Sequence, residues 1–163
     1  MLSPTMQDAL ATHVNQEFFS SYLYLSMSLY CERVSLPGFG EWMRIQSSEE
    51  HAHALKMLDH VLDRGGTISL LAIEKPAADF KSVQDVFERT VAHEKKVTAN
   101  IHSLYALALK EQDFASMEML QWFIKEQVEE EKNTSLIFEQ LRMVGDKGSS
   151  LVMLDHRMGK RGT

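Results

Sequence analysis

Four glutamates far apart in the chain, Glu17, Glu50, Glu94 and Glu130, carry the chemistry that this sequence offers, and one of them opens the motif Glu50-x-x-His53. Residues three apart on a helix share a side, so Glu50 and His53 present an oxygen and a nitrogen to one place. Glu130 lies in FIKEQVEEEK, Phe123 to Lys132, where Glu126, Gln127, Glu129, Glu130 and Glu131 crowd together. An acidic run is ordinarily a solvated helix face, and a lone Glu-x-x-His is ordinarily a surface coincidence. Both readings change if the glutamates fall on buried seams that meet. Burying one unpaired carboxylate costs several kcal/mol, about the scale of a buried ion left without its partner. Four of them need protons or cations. Two divalent ions balance four carboxylates charge for charge, and neutral His53 adds a nitrogen ligand. That donor mixture suits iron, manganese or zinc rather than calcium.

The elements that must position these residues are helices. Apolar residues recur with helical period in four long stretches, and strand-like alternation is almost missing. The first runs over about 5–34, opened by Ser3 as a cap and Pro4 in the first turn. The second runs over about 38–64 and stops at Gly65-Gly66, where glycine takes the left-handed conformation. The third covers about 82–110. The fourth covers about 113–144, capped by Asp113 and ended by Gly145. Helices of about 28 residues are roughly 42 Å long at 1.5 Å per residue, and such lengths are stable in a compact protein when they lie side by side. The spacing predicts an all-α four-helix bundle.

Short turns join the first helix to the second and the third to the fourth, which makes each pair antiparallel. Residues 66–81, GTISLLAIEKPAADFK, contain Pro76 and lack a helical period. Sixteen extended residues reach about 50 Å, enough to travel the bundle and leave helices two and three parallel. A short fifth helix is expected over 149–158, with Leu151, Leu154 and Met158 on one side and Gly159 after it. About ten residues do not hold a helix alone, so it must pack on the bundle or on another subunit.

On this frame the carboxylates fall on inward seams. The fourth helix has Leu120, Phe123, Gln127, Glu130, Thr134, Ile137 and Leu141 at 3-4 spacing. The third repeats Phe87, Glu94, Ile101 and Ala108 every seven residues. The first aligns Leu10, Val14, Glu17, Ser21, Tyr24 and Ser28, and the second aligns Met43, Gln46, Glu50, His53, Met57 and His60. Each long helix thus places one carboxylate near mid-length on its core seam. Tyr24 reads as a core aromatic with one satisfied hydroxyl, and Glu131 as a solvated residue. Met6, Met117 and Met119 read as surface residues whose adaptable side chains fill interfaces.

Composition narrows the class. The chain has 163 residues, 44% hydrophobic and 25% charged, with a formal net charge of -6. These values fit one compact domain, 1–163, with a sizeable core. No clustered Lys/Arg stripe points to nucleic acid; the basic stretch His156–Arg161 reads as a solvated end. No apolar run nears the roughly 20 residues that cross a bilayer, and the start MLSPTMQDAL lacks a signal-peptide order. A cytoplasmic protein without membrane or nucleic-acid partners is expected. The single cysteine, Cys31, has no internal partner and reads as a small packing residue.

With Glu17 and the downstream SSYLYL, Glu49-Glu50-His51-Ala52-His53, Glu94 and LQWFIKEQVEEEK in place, the chain resembles a non-haem ferritin of the bacterial type over nearly its whole length. Ferritin-like di-iron bundles generally carry Glu-x-x-His on two helices. Here Gln127-x-x-Glu130 stands in place of the second, a departure that resembles ferritin and not bacterioferritin or the di-iron oxygenases, so haem is not expected. The resemblance implies a ferroxidase centre in which Glu17, Glu50 and His53 hold one iron. Glu50 bridges to a second iron held by Glu94 and Glu130, with Gln127 nearby. It implies a third iron on the cavity side at Glu49, Glu126, Glu129 and Glu130. Tyr24 and Trp122 fall where the family keeps a tyrosine and a tryptophan, Tyr24 with a supporting or electron-donating part.

The activity so implied is oxidation of Fe(II) to Fe(III) by dioxygen or peroxide. Oxidising two irons adds two charges against a ligand charge of minus four, and oxide or hydroxide offsets the excess. In the family about two dozen subunits form a shell that stores ferric mineral, the fifth helix meeting its copies at fourfold axes. Two other readings compete. A di-iron redox enzyme acting on an organic substrate would want an apolar pocket and the second Glu-x-x-His. An interaction module would turn the acidic seams outward.

Overall fold

The computed structural model describes residues 1–161; the last two residues of the expected 1–163 domain lie outside it. Five helices follow in order: α1 (Pro4–Arg33), α2 (Pro37–Asp63), α3 (Val83–Glu111), α4 (Phe114–Val144) and α5 (Ser149–Met158). Side-chain caps set three of the starts. Ser3 Oγ accepts from Met6 N at 3.0 Å, Ser82 Oγ from Asp85 N at 3.2 Å and Asp113 Oδ1 from Ser116 N at 3.2 Å. Each satisfies a backbone donor that the first helical turn leaves without a partner. α3 ends differently from a glycine stop: Gln112 itself takes the left-handed conformation, with φ 55°.

The buried apolar side chains form two clusters, and their membership fixes the helix directions. One joins Met6–Val14 of α1 to Ala54–Val61 of α2, Val97–Ala108 of α3 and Met119–Phe123 of α4. The other joins Leu23–Cys31 of α1 to Leu36–Met43 of α2, Val83–Phe87 of α3 and Ile137–Leu141 of α4. The start of α1 therefore meets the end of α2, and the end of α2 meets the end of α3. Helices two and three are parallel, as the long crossover requires. Its path is visible at both ends of α1: Thr67 N donates to Gln7 Oε1 at 3.0 Å, and Arg33 Nη2 to Asp79 Oδ1 at 3.0 Å. Between them Ser26 Oγ donates to Ala77 O at 2.7 Å.

Two surface assignments change. Met6 and Met119 are buried in the first cluster and Met117 packs against it, because the ends of α1 and α4 close the bundle there instead of facing solvent. The basic stretch after α5 is not simply solvated either: Arg161 turns back onto α2, donating from Nη1 to Gln46 Oε1 at 2.8 Å. Cys31 is fully buried, and burial pushes its thiol up to about 12, the state of an inert packing residue.

α5 docks by capping α2. Leu36 offers no side-chain cap at the start of α2, and the buried Asp155 supplies it from α5, its Oδ1 accepting from Phe39 N at 2.9 Å. A carboxylate at a helix start is favoured by the exposed N–H groups and the helix dipole. The approach needs a residue without a side chain: a Cβ on Gly38 would lie 1.8 Å from Asp155 O. We expect Gly38→Ala to displace α5 and cost about 1–3 kcal/mol, the range for overpacking. A urea midpoint equal to that of the parent would refute this contact as a determinant of stability.

Candidate metal centre

Between the two apolar clusters lies a buried polar layer to which every long helix contributes. Glu17 comes from α1, Glu50 and His53 from α2, Glu94 from α3, and Gln127 and Glu130 from α4; all are buried, and so is Tyr24 of α1. No lysine or arginine is buried among the described residues, so the layer holds four carboxylates without a fixed cation. Glu17, Glu50 and His53 each bring one donor atom within 4.8 Å of the others. His53 Nδ1 stands 3.4 Å from Glu50 Oε2.

Neutral amides and one phenol hold the remaining oxygens. Gln46 Nε2 donates to Glu50 Oε1 at 3.1 Å and to Glu130 Oε2 at 2.8 Å, spanning α2 and α4. Gln127 Nε2 donates to Glu94 Oε2 at 3.1 Å, to its backbone oxygen at 3.3 Å and to Thr98 Oγ1 at 3.2 Å. The Tyr24 hydroxyl donates to Glu94 Oε1 in a short contact. Glu17 is different. Its oxygens are buried without an aligned hydrogen bond, although His13 Nε2 approaches Oε1 at 2.8 Å.

The electrostatics follow from this packing. Burial, then the charges of Glu17 and Glu94, raise Glu50 well above the usual carboxylate range. Burial and the Glu94 charge push Glu130 up to about 8, against the hydrogen bond from Gln46. Burial raises Glu94 to about 7, opposed by the hydrogen bonds from Tyr24 and Gln127. Burial pushes Glu17 upward most strongly of any single cause, but His13, the Glu50 hydrogen bond and the His53 charge together hold this carboxyl below its ordinary value. Burial, followed by Glu94 and Glu50, lifts the Tyr24 phenol well above its usual range, so it stays a proton donor. Cations would relieve the raised carboxylates, and an oxygen-rich set with one imidazole fits iron among other first-row metals.

The residues assigned to a third iron are drawn together less tightly. Among the described residues, Glu17, Glu50 and His53 are the only three acidic, histidine or cysteine side chains whose donor atoms all fall within 4.8 Å. Glu126 is half-buried and Glu129 exposed, while Glu49 pairs with Arg161 Nη2. Glu131 is not simply solvated: it is half-buried and its Oε1 accepts from Thr98 Oγ1 at 2.6 Å. Trp122 lies edge-on to His53, ring centroids 5.4 Å apart, with Lys56 Nζ 4.5 Å over its ring.

Several supporting residues escaped the seam reading. His13 stands four residues before Glu17 and Thr98 four after Glu94, so i,i+4 spacing was the available signal; Gln46 was on the α2 seam but without a partner assigned to its amide. His93 was less legible; Ser20 Oγ lies 2.8 Å from its Nε2, and burial lowers this imidazole to about 4. Arg161 carried no local signal, since its partners are more than a hundred residues away.

Fold and layer define a four-helix bundle built around a buried carboxylate-rich layer. The family model of the ferritin-like domain matches residues 7–144. A probable bacterial non-heme ferritin-like protein of Haemophilus influenzae is 35% identical over 163 residues, covering 100% of this chain and 99% of the relative. A bacterial non-heme ferritin of Staphylococcus aureus is 32% identical over 161 residues, 99% of this chain and 97% of its own. The solved structure of an open-pore ferritin from the hyperthermophilic archaeon Archaeoglobus fulgidus superposes with a TM-score of 0.98 at 43% identity, covering 99% of each chain. The chain belongs to the ferritin family, among its non-haem members of the bacterial type. No described helix is long and apolar enough to cross a membrane.

The raised carboxyls predict how the metal-free protein responds to pH. An acid whose folded pKa lies above its unfolded value binds more protons when folded, so stability falls as pH rises between the two. For Glu94 and Glu130 that window runs from the ordinary glutamate value of 4.5 to about 7 and about 8. Glu17, shifted the other way, opposes this only at lower pH. Metal-free protein should melt at a lower temperature at pH 8 than at pH 5.5, and Zn(II), a redox-inert stand-in, should remove most of the difference. Glu130→Gln should flatten the slope without metal. A melting temperature that rises over this range would contradict the protonated layer.

Proposed function

We propose that this chain is the subunit of an iron-storage ferritin, with Fe(II) as its substrate at the four-helix carboxylate layer. The observation that carries the reading is the buried trio Glu17, Glu50 and His53, in which the Glu17 oxygens have no aligned hydrogen-bond partner. In this reading one Fe(II) is held by that trio. A second is held by Glu94 and Glu130 and shares Glu50, with Gln127 beside it. Gln46 and Gln127 keep the carboxylates oriented by donating hydrogen bonds that add no charge.

Each Fe(II) gives up one electron, so a pair reduces dioxygen to hydrogen peroxide, or hydrogen peroxide to water. Water supplies the oxide and hydroxide that offset the two added charges, and the released protons leave to solvent. Glu49, Glu126 and Glu129, with Glu130, form the cavity-side path along which Fe(III) passes to a ferric mineral. Reduction of dioxygen through to water needs two electrons more; Tyr24, fixed on Glu94, is positioned to give one while its proton passes to that carboxylate, and the iron on the cavity side gives the other. About two dozen subunits enclose the mineral, α5 lying near the fourfold axes.

The deciding measurement is size-exclusion chromatography after aerobic loading with excess Fe(II), reading iron and protein in the same fractions. Many irons per chain in a particle of about two dozen subunits is the expected result. A small species holding about two irons per chain would transfer the proposal to a redox enzyme. The double substitution Glu50→Ala, His53→Ala should abolish fast iron oxidation while leaving the helical circular dichroism unchanged; an unaltered rate would sink the ligand assignment. Glu129→Ala should change the oxygen-to-iron stoichiometry without removing the first two irons, and identical stoichiometry would count against the third site.

A further inference from the structure

The segment after α5 places a guanidinium against the α2 edge of this layer, at Gln46 and Glu49. Arg161 Nη2 donates to Glu49 Oε2, and Nη1 donates to Gln46 Oε1 at 2.8 Å. Its carbon Cζ stands 4.3 Å over the Trp42 ring. The three contacts come from one face of α2 at spacings of four and three residues, so a single planar group satisfies a carboxylate, an amide oxygen and an aromatic face together. Gln46 has one amide oxygen and one amide nitrogen. With the oxygen held by Arg161, the nitrogen must face inward, where it reaches Glu50 and Glu130.

We propose that Arg161 is the resident cation of the cavity-side carboxylates, a positioning residue that occupies Glu49 until a metal ion displaces it and that aims the Gln46 amide at Glu50 and Glu130. This rests on the metal-centre reading above and adds a residue that the ligand set does not contain. Chemistry favours competition: a guanidinium and a divalent ion both seek the Glu49 oxygens, and they cannot hold them together. Glu49 is 41% exposed and Arg161 24%, and an ion pair with that access to water is weak. A metal with further oxygens at hand can therefore displace the arginine. Glu130 lies within the influence of both Glu49 and Arg161, so the exchange takes place beside the second iron position. When Arg161 leaves, Gln46 is freed to turn, and its hold on Glu50 and Glu130 loosens as an ion arrives on the cavity side. The arginine thus couples occupation of the outer site to release of the inner ligands.

The test is calorimetric titration of the assembled, metal-free protein with Zn(II), comparing the parent with Arg161→Ala, Arg161→Lys and Arg161→Ala combined with Glu49→Gln. Removal of Arg161 should tighten the weakest class of zinc sites by about two- to fivefold, the scale of one exposed ion pair lost as a competitor. Lysine should restore part of the competition, and Glu49→Gln should cancel the gain. Loss of packing alone would weaken zinc binding, so a gain separates competition from structural support. In a Trp122→Phe background, Trp42 emission should shift as the last zinc binds to the parent and not in Arg161→Ala. Equal or weaker zinc affinity in Arg161→Ala overturns the proposal. If Glu50→Ala with His53→Ala leaves the tight zinc sites intact, the underlying metal-centre reading has failed instead.

Discussion

Four carboxylates must share the middle of a bundle that buries no lysine or arginine among its described residues. That constraint organises the rest of the structure. Each glutamate sits in a setting that costs several kcal/mol for a lone charge, roughly the penalty for a buried ion without its partner. The layer cannot hold the helices together, so the apolar clusters on either side must. Their aromatic and aliphatic side chains clamp the bundle at both ends; α5 joins one cluster through Leu151, Leu154 and Met158, and Phe80 and Ile68 of the crossover pack against the two. Stability and chemistry are thereby segregated along the bundle axis.

Mid-length placement explains why so much of the centre was legible. The middle of a helix stays in the middle of the bundle whichever way the chain runs. Glu17, Glu50, Glu94 and Glu130 could therefore be brought level without knowing which helices are parallel. The seam on α4 was equally readable, since all seven of its residues from Leu120 to Leu141 are buried. Helix ends depend on direction and on partners distant in sequence, and there the reading weakened. Met6 and Met119 meet only because the starts of α1 and α4 lie at one end. Arg161 finds Gln46 and Glu49 only because α5 folds back on α2. Glu131 was misjudged for a subtler reason: its seam is the edge of the α3–α4 contact, where Thr98 turns a surface position into a hydrogen-bonded one.

The charge-neutral groups around the carboxylates show what kind of compensation the layer tolerates. A buried lysine would satisfy an oxygen and cancel its charge, leaving nothing to attract a cation. An amide satisfies the oxygen and leaves the charge. Gln46 does this for Glu50 and Glu130, Gln127 does it for Glu94, and Tyr24 adds a phenol to the same carboxylate. These donors reduce the desolvation cost of each anion while preserving the field that two cations would neutralise.

The two halves of the layer are nevertheless unequal. Glu17, Glu50 and His53 converge closely, bring an imidazole among the converging donor atoms, and leave the Glu17 oxygens without aligned hydrogen bonds. Glu94 and Glu130 are already hydrogen-bonded by amides, and Gln127 stands where a second histidine would make the halves alike. An ion arriving at the first half displaces no hydrogen bond from Glu17. One arriving at the second must compete with Gln46 and Gln127 for the same oxygens. Hard oxygen ligands without nitrogen also favour the more highly charged ion. In the proposed reading the first half captures a divalent cation and the second holds it less firmly, an inequality that a storage protein can use and a site for repeated turnover on one bound pair would have less reason to keep.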